Sequence, residues 1–413
     1  MNRDVVRVRG RPVVGKLPRL GLLAAGVLFG VAGSPAWSFD VVYAESNSTT
    51  GNSILSFEND GSGALHFLGS TAAGGTGVFD PSFALGPFDS DQNLLVSSDR
   101  ALLFAVNSGS NSIAVFHIDG NGRLTPANGS PFASGGIDPV SIGLRGDILA
   151  VVNKDGDPNQ NASPALPNYT TFRVDPDGGL DPIKESTVSV AYGSSPSQAL
   201  IASVGPFVFG ADFLGGLLQS FELDEAGRLL QNPPQAIPNS VYSGSPAPHL
   251  PLGLRTHPSQ PILYVDLVTV SEVAVYQYTS EGRLQFVRAV ADPGAGPCWV
   301  ITNHRGTRLY VINTGDTSVA VYDLTQDPSD PLLIQHFQMT VTTGNPFSAV
   351  IDDSDRFIYV SGEQSTATAT ASANAIHTLK VASDGTLSEP FPPTVLPISG
   401  VARAQGVAVF SAR

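Results

Sequence analysis

The chain has 413 residues with 43 Gly, 32 Pro, a single Cys and a formal net charge of −14. One cysteine leaves no intramolecular disulfide to hold a fold. The acidic balance repels phosphate backbones and anionic lipid, so nucleic acid is not an expected partner.

Taken in chain order, residues 1–38 differ from the rest. Arg3, Arg7, Arg9, Arg11, Lys16 and Arg19 precede an apolar run from Leu20 to Gly33, followed by Ala36, Trp37 and Ser38. A basic segment, a short apolar segment and small residues near a cleavage point have the form of a secretory signal cut after Ser38. The apolar run is short for a membrane span. An extracytoplasmic protein, periplasmic or secreted, with no stable span after cleavage is the expectation. The mature part would carry 16 basic against 35 acidic side chains.

From residue 39 onward a strand pattern recurs seven times. Apolar second strands read VVYAE (41–45), LFAVN (103–107), LAVVN (149–153), VFGAD (208–212), LYVDL (263–267), LYVIN (309–313) and IYVSG (358–362). The spacing of roughly 45 to 60 residues is that of propeller blades. Each is followed by a third strand and a turn such as HIDGNGRL, ELDEAGRL or QYTSEGRL. Gly in such turns accepts positive φ, and the Leu re-enters the core.

First strands lie just upstream of six of these: QNLLVSS, PVSIGL, SQALIAS, LGLRTH, CWVITN and FSAVID. The seventh, QGVAVF at 405–410, has no strand after it, whereas VVYAE has none before it. Pairing the two ends completes a blade and removes both exposed edges. Residues 39–413 are therefore expected to form one all-β, seven-bladed β-propeller, closed by the N-terminal strand 39–45 against the C-terminal strand 405–410. Two polar stretches, 154–168 and 361–375, read as long exposed loops.

In such a ring the loops entering first strands and leaving second strands form one mouth of a central channel. The residues closing the second strands are Glu45, Asn107, Asn153, Asp212, Leu267, Asn313 and Gly362, with Lys154 and Glu363 next to them. The recurring Asn fits a side chain bonded to turn backbone, and the same amides can contact a ligand. Glu45, Asn107, Asn153, Lys154 and Asn313 are the candidate ligand-binding residues. Asp212, Glu363 and His249, in SPAPHLPLG, are the candidate catalytic ones, as carboxylates or imidazole able to move a proton. His257 and His304 fall in turns on the opposite face. His117 falls on a third strand, His66, His336 and His377 fall in or beside outer strands, and no pair has zinc spacing. No cofactor is expected, with calcium at Asp155-Gly-Asp157 as the alternative.

Blade order, the two-ended closure and the Gly-x-Leu turns resemble the seven-bladed β-propeller lactonase family, which includes 6-phosphogluconolactonases and carboxymuconate-lactonizing cyclases. GGIDPVSIGLRGDILAVVN looks like that family's second-blade opening, and SPSQALIASVGPFVFGADFLGGLLQSFELDEAGRL like its third, with Asp212 opening a D-L-G-x-D motif. PLGLRTHPSQPILYVDL follows the family's G-P-R-H-x-x-F-H-P unit in outline. The departures fall where the chemistry is implied to be. The family's Arg-His pair maps onto Leu252 and Gly253, and its Asn-Glu onto Leu267 and Val268. Its third-blade His maps onto Ser197 or Gln198, and the second Asp of D-L-G-x-D onto Gly216.

Lactone opening needs a base for water and a donor for the developing oxyanion. Three functions compete. One is a lactonase-like hydrolase of a sugar lactone or related ring ester with a rebuilt set drawn from Asp212, Glu363, Lys154 and His249. Another is a non-catalytic propeller binding a small ligand, polyol or protein partner. The last is a metal-dependent gluconolactonase-type propeller using Glu45, Asn153, Asp212 and Asn313. A monomer is expected.

Overall fold

The computed structural model describes residues 39–78, 93–154, 166–241, 250–363, 373–398 and 402–412. Among these residues the regular structure is almost wholly strand, arranged as seven antiparallel sheets of four or five strands. The first and second strands of blades 2 to 7 are Leu94–Val96 and Leu102–Asn107, Pro139–Arg145 and Ile148–Asn153, Leu200–Ile201 and Phe207–Asp212, Pro251–Thr256 and Ile262–Leu267, Pro297–Thr302 and Arg308–Asn313, and Asn345–Ile351 and Phe357–Glu363. Blade 1 is made from both ends of the described chain, with Gln405–Ser411 innermost, then Asp40–Glu45, Ser53–Asn59 and Leu65–Ala72. The expected seven-bladed ring and its closure are both present.

Each second strand is buried along all or all but the first residue of its length, which is why these segments read as continuous apolar runs. Successive side chains leave a strand on opposite faces, so one second strand serves two blade joints. Val41 and Tyr43 pack with Leu103 and Ala105 between blades 1 and 2, while Val42 and Ala44 pack with Phe357 and Tyr359 between blades 7 and 1. The same alternation repeats round the ring and produces seven separate inter-blade cores. Full burial of one such aliphatic or aromatic side chain is worth about 1.5–3 kcal/mol.

The glycine turns between third and outer strands do more than reverse the chain. A hydroxyl from the preceding blade donates to a turn carbonyl of the next: Tyr43 Oη to Gly122 O at 2.7 Å, Thr171 Oγ1 to Gly227 O at 2.6 Å, Ser220 Oγ to Gly282 O at 2.6 Å and Tyr310 Oη to Gly385 O at 3.2 Å. Gly122 has φ +74°, and a Cβ there would lie 2.5 Å from Val41 Cγ2. Both the backbone conformation and the close approach demand glycine.

At the start of the inner strands the ladder is irregular. Register shifts fall at Ala44/Glu45 against Gln405, at Val152/Asn153 against Pro139, and within Pro251–Leu254, Pro297–Trp299 and Pro346–Ala349. Such bulges re-aim side chains at a channel mouth.

Two outcomes are expected from this architecture. A chain ending at residue 404 lacks the innermost strand of blade 1 and shows no cooperative thermal transition by circular dichroism. Gly122→Ala is destabilised by about 1–3 kcal/mol, from positive φ and the Val41 contact, measured as a lower denaturation midpoint with an unchanged m-value.

Candidate functional site

The front mouth of the channel, where inner strands begin and second strands end, carries the residues singled out from the sequence. Register corrects one of them. Tyr43, Tyr264, Tyr310 and Tyr359 occupy the same position in their strands, each packed into the joint with the following blade. Counting from these tyrosines, the equivalent of Leu267, Asn313 and Gly362 in blade 1 is Ser46, and Glu45 lies one residue out of phase. Its counterpart in blade 5 is Asp266. The sequence YAES lacks the apolar residue that would have marked the phase.

Asn107, Asn153, Asp212, Leu267 and Asn313 continue the alternation of their strands into the joint with the preceding blade; Leu267 belongs to the core between blades 4 and 5. Asn107 Nδ2 donates to Ala73 O at 3.2 Å and Ser112 Oγ at 3.3 Å. Asn153 Nδ2 donates to Ser134 O at 3.3 Å and Asn168 Oδ1 at 3.1 Å, and Asn313 Nδ2 to Ser318 Oγ at 3.2 Å. Asp212 Oδ1 accepts the backbone N–H of Ser195 at 2.8 Å and of Gly215 at 3.0 Å. These amides and this carboxylate hold the loops that frame the mouth.

Glu45 is buried in the joint between blades 1 and 2. The Asn52 amide donates to Glu45 Oε1 and, at 3.0 Å, to Asn107 Oδ1, while Glu45 Oε2 is without a hydrogen-bond partner among the described residues. Burial pushes the Glu45 carboxyl well above the usual glutamate range, and the Asn52 bond opposes this only in part.

On the joint between blades 7 and 1, Glu363 Oε2 accepts Gln405 Nε2 at 3.1 Å. Arg403, two residues earlier, is 1% exposed, and its segment is pinned by Asn374, which donates to Ala402 O and accepts Ala404 N at 2.9 Å each. Lys154 is fully buried on blade 3, with its backbone N–H on Asp138 O at 2.8 Å. Thus Lys154 and Asp212 sit on blades 3 and 4, and two blades separate Asp212 from Glu363. His249 and Asp155-Gly-Asp157 lie outside the described residues.

The remaining arc of the front mouth is apolar. Leu252, Cys298 and Phe347 follow Pro251, Pro297 and Pro346 at the bulged starts of three consecutive inner strands and form one cluster, flanked by Phe213 and Val268. Leu252 stands where the resemblance placed the family's Arg. At Gly253, where it placed the His, a Cβ would come within 2.9 Å of Asp266 Oδ2 and 2.8 Å of Cys298 O. No side chain fits there without movement of backbone.

The rear half of the channel contains a cavity of about 550 Å³, lined by residues including Arg255, Trp299, Ile301, Ser348 and Val350, with Arg100, His304 and Asp353 at its rim. None of the sequence-selected residues lines it. Arg255, Arg403 and Gln405 were not singled out from the sequence; the available signal was a cation inside a short apolar strand, LGLRT. As expected, His257 and His304 lie in turns on this rear face. His377, in contrast, lies on a third strand, Ala375–Val381, and bonds Glu389 Oε1 at 2.8 Å.

A closed ring of seven antiparallel blades around a channel defines the β-propeller class. Within that class, the family model described as "Lactonase, 7-bladed beta-propeller" matches residues 166–390, and the chain belongs to this family. Its fold is similar to that of a provisionally assigned 6-phosphogluconolactonase from Bacteroides uniformis, with TM-score 0.69 and 15% identity over 91% of this chain and 100% of that one. It is also similar to a periplasmic gluconolactonase from Pseudomonas aeruginosa, with TM-score 0.67 and 16% identity over 91% and 100%. A Lactobacillus plantarum protein gives TM-score 0.67 and 16% identity over 90% and 99%. At these identities the likeness concerns the fold. No curated protein sequence matches the chain. No helix among the described residues is long and apolar enough to cross a membrane.

Because burial raises the Glu45 carboxyl in the native state above its value in the unfolded chain, its contribution to stability is full below the ordinary glutamate pKa. That contribution is lost as pH rises toward the folded value. Glu45→Gln is therefore expected to raise the melting temperature relative to wild type near pH 7, with the gap narrowing toward about pH 4. Parallel thermal melts across that range check it.

Proposed function

We propose that this protein is an extracytoplasmic lactonase-type hydrolase that opens a sugar lactone or related ring ester at the front mouth of its channel. The observation that carries the reading is the buried Glu363 carboxylate, held by Gln405 two residues from Arg403 in a propeller of the lactonase family. In this reading Glu363 accepts a proton from water as the water oxygen bonds to the ester carbonyl carbon. The C–O ring bond then breaks and the proton passes to the leaving alkoxide, giving a hydroxy acid. Arg403 and Lys154 are the buried cations of the same face suited to the developing oxyanion. The Leu252–Cys298–Phe347 wall offers an apolar surface to the carbon skeleton. The basic and apolar leader, residues 1–38, supports export.

A second reading has its own support. Leu252 and the obstructed Gly253 stand where the resemblance implies a cation and an imidazole, which favours binding of a ligand without turnover.

Hydrolysis of a panel of aldono- and phospho-lactones, corrected for spontaneous opening, separates the two. The hydrolase reading expects turnover that Glu363→Gln lowers by about a hundredfold or more, while Asp212→Asn, which loosens the Ser195–Gly215 loop contacts, acts mainly on melting temperature. A folded protein with no rate above the spontaneous one overturns the hydrolase reading and leaves the binding one.

A further inference from the structure

Seven residues occupy the same level of the channel wall, each paired with the corresponding residue of its second strand. Six of them, Leu95, Gly143, Leu200, Ile301, Val350 and Ala408, are apolar or glycine. The seventh is Arg255, opposite Tyr264. One strong cation thus stands alone in an apolar ring, facing the rear cavity of about 550 Å³.

The other charges around that cavity are matched. Arg100 pairs with Asp353 and donates to Ser411 O at 3.0 Å, and His304 Nδ1 meets Asp355 Oδ1 at 2.6 Å. Arg255 has no hydrogen-bond or ion-pair partner among the described residues. Burial lowers its pKa from the usual arginine value, yet a guanidinium stays protonated in proteins. Arg255 is half-buried, a cation drawn partly out of water without a partner is costly, and in a chain of net charge −14 a carboxylate to neutralise it would have been easy to supply.

We propose that the rear cavity binds a small monocarboxylate with an apolar body, its carboxylate held by the Arg255 guanidinium and its body lying against Leu95, Ile301 and Val350. The planar fork of a guanidinium matches two carboxylate oxygens. A single unneutralised cation suits a monoanion, because a dianion would bury a second unpaired charge. The indole N–H of Trp299 is already given to Ala349 O at 3.0 Å, so the ring contributes surface rather than a donor. This site is on the opposite mouth from Glu363, and the inference does not rest on lactone hydrolysis.

Isothermal titration of the full chain with sodium benzoate tests it, with sodium gluconate and inorganic phosphate as comparison probes. Saturable benzoate binding at one site per chain is expected, stronger than that of either comparison probe. Arg255→Met should weaken it by about ten- to a hundredfold, the loss of one charge-assisted contact. Arg255→Lys, which keeps the charge and loses the fork, should fall between. In the wild type, benzoate should also protect Arg255 from phenylglyoxal, read by peptide mass spectrometry, so the inference stays testable even if the variants misfold. Absence of saturable benzoate binding, unchanged affinity in folded Arg255→Met, unprotected Arg255, or tighter binding of phosphate or gluconate than of benzoate would each overturn it.

Discussion

Everything else in this ring depends on the pairing of Asp40–Glu45 with Gln405–Ser411, two strands drawn from opposite ends of the described chain. Without it, blade 1 has no inner strand and blades 1 and 7 present open edges. Loop-closure entropy rises only with the logarithm of length, so even this longest connection adds little more than a shorter one would. The clamp is reinforced by a buried polar chain: Ser411 Oγ donates to Asp40 Oδ1 at 2.7 Å, Tyr359 Oη to Asp40 Oδ2 at 3.1 Å, and Asn59 Nδ2 to Tyr359 Oη at 2.7 Å. Burial raises the Asp40 carboxyl above the usual aspartate range, with the Ser411 and Tyr359 bonds opposing it. The joint between blades 7 and 1 is thereby both an apolar core and a hydrogen-bonded lock.

Closure also divides the channel into two chemically distinct ends. In front, buried polar groups at Glu363, Gln405 and Arg403 face an apolar arc formed by Leu252, Cys298 and Phe347. Behind, paired charges ring a cavity whose wall holds one unmatched guanidinium. Glu363, Gln405 and Arg403 do not line the rear cavity, so each end is free to serve its own ligand.

The fold was legible because its strongest signal, a second strand buried on both faces, is also the longest apolar run in each repeat. The turn glycines were equally plain, since positive φ restricts the residue type. What escaped the sequence were matters of phase and of lone residues. Glu45 was placed one position out because YAES carries no apolar residue after the glutamate. Arg255 had no motif around it, and its meaning appears only when seven strands are brought to the same level. The candidate carboxylates stood out as charges that break the repeat near the mouth, but their burial, and which joint each enters, depend on strand alternation that a short, bulged end obscures.

Those bulges at Pro251–Leu254, Pro297–Trp299 and Pro346–Ala349 leave the mouth residues outside the regular ladder. A substitution at Leu252, Cys298 or Phe347 therefore disturbs local packing without breaking strand pairing. The scaffold can therefore accept exchange at these points while the ring persists. The same three positions are the natural places to graft new chemistry onto this propeller.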